Sequence, residues 1–88
     1  TMFCLVKLLC LPDDYDPKLK GVEFFKTFEQ AKKKTEELIK EFFDEYGEDS
    51  EEEASSENSV AVACNGEVTW FGFIEEVKDT KDFLSKLA

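Results

Sequence analysis

Asn65-Gly66, set between two apolar runs, constrains this chain more than any other feature. Both central residues of a type I′ turn need positive φ, which Asn and Gly adopt most readily, so residues 59–77 are expected to form a β-hairpin with a two-residue loop. Such a loop sets the register: Cys64 opposite Glu67, Ala63 opposite Val68, Val62 opposite Thr69, Ala61 opposite Trp70 and Val60 opposite Phe71. Val60, Val62, Cys64, Thr69, Phe71 and Phe73 then share one face, and Ala61, Ala63, Val68, Trp70 and Ile74 the other. Both faces are apolar, so either helices cover both or one meets a partner. Small Ala61 and Ala63 leave room for the Trp70 indole to lie over the partner strand.

Residues 2–11 alternate without losing apolarity: Met2, Cys4, Val6, Leu8 and Cys10 form one face, and Phe3, Leu5, Leu9 and Leu11 the other, which only Lys7 interrupts. The run lacks the basic start and small-residue cleavage site of a signal peptide, so it reads as a buried strand. Pro12 to Pro17, with three aspartates, reads as a turn; it lacks the glycine and distant bidentate glutamate of a calcium loop. Gly21 to Phe25 is expected to be a short extended piece.

A helix is predicted over 28–46. Thr27 and Gln30 have capping-box spacing, Gly47 supplies a stop, and Phe28, Ala31, Thr35, Leu38, Ile39, Phe42, Phe43 and Tyr46 form one stripe. Residues 47–58 are acidic and serine-rich with no apolar side chain larger than Ala54, and are expected to be a flexible link. Residues 80–87 are expected to form a short second helix packing Phe83, Leu84 and Leu87. The expected fold is one α+β domain, β-α-β-β-α. Its three-stranded, mostly antiparallel sheet has spatial order 1-3-2, with strands 1 and 2 parallel at the edges and the long helix on one face.

The chain has no histidine and no arginine, which removes the usual general base near neutral pH, the commonest zinc ligand and bidentate phosphate recognition. With a net charge of −10, direct nucleic-acid binding is not expected. No run has the ~18 apolar residues of a membrane span. Cys4, Cys10 and Cys64 are an odd number in apolar runs, and Cys4 and Cys10 lie ~20 Å apart along one strand, so reduced thiols and a cytoplasmic setting are expected. Glu75 and Glu76 are strand neighbours pointing to opposite faces, and Cys64 lacks a histidine; neither suggests catalysis, and no cofactor or metal is expected.

The charge is concentrated. Residues 41–77 hold twelve carboxylates and no lysine, whereas residues 1–40 hold seven carboxylates against eight lysines. The helix also runs against its dipole, with Lys32, Lys33 and Lys34 early and Glu41, Asp44 and Glu45 late. The plain reading is that these acids keep an aromatic-rich domain soluble. The sharper reading is a protein-binding module in which Glu41, Asp44, Glu45, Glu48, Asp49, Glu51, Glu52, Glu53 and Glu57 engage a basic partner. It would act as an inhibitor that mimics nucleic-acid charge. The alternative from another class is a structural homodimer joined through an apolar sheet face.

Overall fold

The computed structural model describes residues 2–13 and 16–78. Strands β1 (Met2–Cys10) and β2 (Lys18–Phe25) form a hairpin, and helix α1 (Phe28–Tyr46) follows. A 3-10 turn, Gly47–Asp49, leads into β3 (Ser50–Ser55), β4 (Ser59–Cys64) and β5 (Val68–Val77). All five strands join one antiparallel sheet in the order β2-β1-β5-β4-β3.

This corrects the three-stranded β-α-β-β-α expectation. Two strands were missing from it, and they are the two edges. The extended piece at 21–25 is the second half of β2, and the acidic segment read as a link contains β3. β5 lies between β1 and β4, which run in the same direction, as the order 1-3-2 expected; β2 and β3 flank them, so neither β1 nor β4 is an edge. The helix expected over 80–87 falls outside the described residues.

The hairpin register is also corrected by one. Asn65 and Gly66 both have positive φ, 54° and 71°, and the Glu67 amide donates to the Cys64 carbonyl at 2.9 Å, closing the expected turn. The ladder nevertheless starts at Cys64 opposite Val68, leaving Glu67 as an extra turn residue, so Val62 faces Trp70 and Ala61 faces Phe71. A one-residue slip turns every β5 side chain to the opposite face relative to β4. The indole therefore lies not over Ala61 and Ala63 but along its own strand, against Gly72.

Helix α1 follows the sequence closely. The Thr27 hydroxyl accepts from the Gln30 amide at 3.2 Å, and the Gln30 side-chain oxygen accepts from the Lys26 amide at 3.2 Å, one residue before the usual partner of a capping box. Gly47, at φ 80°, caps the other end by donating to the Phe43 carbonyl. The helix lies across one sheet face. Its first half sets Ala31 against Leu5 and Ile74, and its second half sets Phe42 against Val60, Val62 and Trp70. Thr35, buried within the stripe, satisfies its hydroxyl by donating to the Ala31 carbonyl at 2.9 Å.

The opposite sheet face is apolar too. Cys4, Val6 and Val77 are buried there with Val22 and Phe73 packed against them, while Leu19, Phe24 and Met2 remain 57%, 48% and 44% exposed.

Candidate functional site

Five strands at ~4.8 Å spacing make a sheet ~20 Å wide between its outer strands, whereas a helix covers only ~10 Å. One helix laid across it leaves a corner of the sheet unroofed. That corner, beside the second half of α1, is an open cavity of about 380 Å³. Its floor is Leu9 of β1 and Trp70 of β5, and Leu38, Phe42 and Tyr46 of α1 close one side. The Phe42 and Tyr46 rings meet with centroids 4.5 Å apart and planes tilted by 40°, forming the aromatic wall.

The rims carry opposite charges. Glu41 and Glu45, one turn apart on α1, stand along the helix side, and Lys7 and Lys20 along the strand side. Lys7 is held by Glu23 at 2.8 Å, whereas Lys20, the extra residue at the β2 irregularity, makes no ion pair among the described residues. Trp70 is placed by Gly72: with no Cβ there, the benzo edge of the indole settles onto the backbone.

The nine acidic residues proposed from the sequence do not form one patch. Glu41 and Glu45 border this groove. Glu52 lies on the other flank of α1, in a cleft with Lys32 and Glu36. Glu51 pairs with Ala63, on the sheet face away from the helix, and Glu53 sits at the irregularity in β3. Glu48 and Asp49 occupy the 3-10 turn, where the Asp49 carbonyl accepts from the Asn65 amide at 3.3 Å. Glu57 is brought to the start of α1, its carbonyl accepting from Lys32 at 3.2 Å. Asp44 is exposed near the end of α1.

All nine are exposed, and among the described residues none of their carboxylates makes an ion pair or a hydrogen bond. α1 has no basic residue in its last turn to offset them.

None of the three cysteines is in a disulfide; Cys4 is buried, and Cys10 and Cys64 are half-buried. Cys64 points its thiol at the Tyr46 carbonyl, 3.8 Å away, a packing contact with no activating base. Among the described residues no His, Cys, Asp and Glu cluster gathers for a metal, and no helix is long and apolar enough to cross a membrane.

The described residues define a small α+β fold, one long helix on a five-stranded antiparallel sheet. It matches no family model, no curated protein and no solved structure.

Proposed function

We propose that this chain is a binding module, not an enzyme, and that its acidic surface engages a basic protein partner as an inhibitor mimicking nucleic-acid charge. The observation that carries this reading is the set of nine exposed carboxylates with no counter-ion among the described residues. They contribute nothing visible to the fold, and at the end of α1 they oppose its dipole. Glu51, Glu52 and Glu53 also follow one another on an edge strand, so their charge is presented on both sides of that edge. Three cysteines outside any disulfide suit a cytoplasmic setting.

The test is a pull-down from the native host at low and high salt. Reversing Glu48, Glu51, Glu52 and Glu53 to Lys is expected to abolish capture, with the circular dichroism spectrum unchanged. Capture that survives both the reversal and high salt rejects the reading.

A second reading, a homodimer, is favoured by the apolar face opposite α1, where Leu19, Phe24 and Met2 are exposed. Cys4, Val6 and Val77 are already buried on this face, so the contact would centre on its exposed side chains Leu19, Phe24 and Met2. Light scattering at millimolar concentration is then expected to give twice the chain mass; a monomer removes this reading.

A further inference from the structure

We infer that the groove between α1 and the β1–β5 floor seats an amphipathic helix of the partner. This helix would place apolar anchors on Trp70 and Leu9 and a basic flank against Glu41 and Glu45. The inference rests on the partner-binding reading above and names the mode of contact.

The occupant's backbone decides its secondary structure. Leu9 is paired on both sides, with Lys18 and with Trp70, and Trp70 is paired with Leu9 and Val62. The floor therefore has no free peptide groups to offer an added strand. A segment entering an apolar site must satisfy its own N–H and C=O groups, and a helix does so internally. The sheet that α1 leaves uncovered is divided between its two flanks, so the guest helix enters this one by its apolar edge. The 380 Å³ cavity holds two or three of its side chains.

The rims choose the flanks. Glu41 and Glu45 lack any counter-ion among the described residues, so a lysine or arginine at one edge of the guest helix completes them. Lys20 on the facing rim favours an acidic residue on the other edge and disfavours a uniformly basic guest. This is the flank logic of coiled-coil pairs, where charges beside the apolar seam set the partner and its orientation. Phe42 and Tyr46 supply a rigid aromatic wall of the kind that concentrates binding energy at interfaces.

Trp70 is the only tryptophan, so its emission reports this groove directly. The probe is a tryptophan-free helical peptide of zero net charge, with a leucine stripe flanked by lysine on one side and glutamate on the other. The control carries glutamate on both flanks. The mixed peptide is expected to shift Trp70 emission saturably, the control to bind at least ~10-fold more weakly, and Glu41→Lys with Glu45→Lys to weaken the mixed peptide by ~10-fold or more. Glu29→Lys with Glu36→Lys, the same charge change in a cleft on the other flank of α1, is expected to leave it unchanged. No emission change with the mixed peptide, or equal loss from the two double variants, overturns the groove assignment. If the host partner's capture is then still lost on reversal of Glu48, Glu51, Glu52 and Glu53, the acidic-surface reading stands without the groove; if it is not, both fall.

Discussion

Gly72→Ala is expected to destabilise the fold by about 2–3 kcal/mol, the upper part of the range for overpacking a filled core. An ideal Cβ at this position would lie 2.5 Å from Trp70 Cη2 and 2.8 Å from Cζ3, distances that real Cβ atoms do not tolerate. The indole can retreat only towards the open cavity, at the cost of its own packing. It is 8% exposed and packs in the cluster of Phe42, Val60 and Val62, so moving it opens the space those residues share. Urea unfolding followed by circular dichroism measures the loss. In a Trp70→Phe background the colliding benzo atoms are gone, and the same glycine substitution is expected to cost less than half as much. Equal cost in both backgrounds would show that the collision is not the cause.

Phe42→Ala is the second large effect, a loss of about 3–5 kcal/mol. Phe42 is 5% exposed and is the helix residue at the centre of the cluster with Val60, Val62 and Trp70. Its ring also meets Tyr46 at 4.5 Å and Phe43 at 6.4 Å, so truncation leaves a void under the second half of α1. A domain of this size has only about 5–15 kcal/mol of stability in hand, so the variant is expected to be partly unfolded at 37 °C. Leu19→Ala is the matched control: at 57% exposure it should change stability by about 0.5 kcal/mol or less. A Phe42 variant that unfolds at the same urea concentration as this control would overturn the assignment of the core.

The elements that could be read from the sequence are those whose signals are local. Thr27 with Gln30, Gly47 and the stripe from Phe28 to Tyr46 define α1 without reference to anything distant. The apolar run in β1 and the positive-φ pair Asn65 and Gly66 are equally self-contained. The register at that pair was not, because the same two residues serve a two-residue loop and one that also takes in Glu67. The wider sheet chooses between them. Strand β3 had almost no signal. Its sequence, SEEEAS, offers Ala54 alone as an apolar residue, and what makes it a strand is the ladder that β4 presents to it. β2 was half visible, since Lys18 to Lys20 carry no alternation of their own.

The candidate site follows the same division. The acidic character of residues 41–57 was plain, but its spread over several surfaces depends on where β3 and α1 sit on the sheet. Phe42, Tyr46 and Trp70 were recognisable as apolar residues. That they also border a cavity comes from the crossing of one helix over five strands, which no local pattern encodes.

The seam between β1 and β5 joins the first and last strands of the described chain, with Met2 opposite Val77 and Cys10 opposite Thr69. A two-stranded unit and a three-stranded meander can each zip up from their own turns. Only their union encloses nearly the whole polypeptide in one ring, whose entropic cost rises slowly with its size. Damage to β1 or β5 therefore strikes the molecule's keystone, the seam that joins the two halves of the sheet, before it reaches the rim.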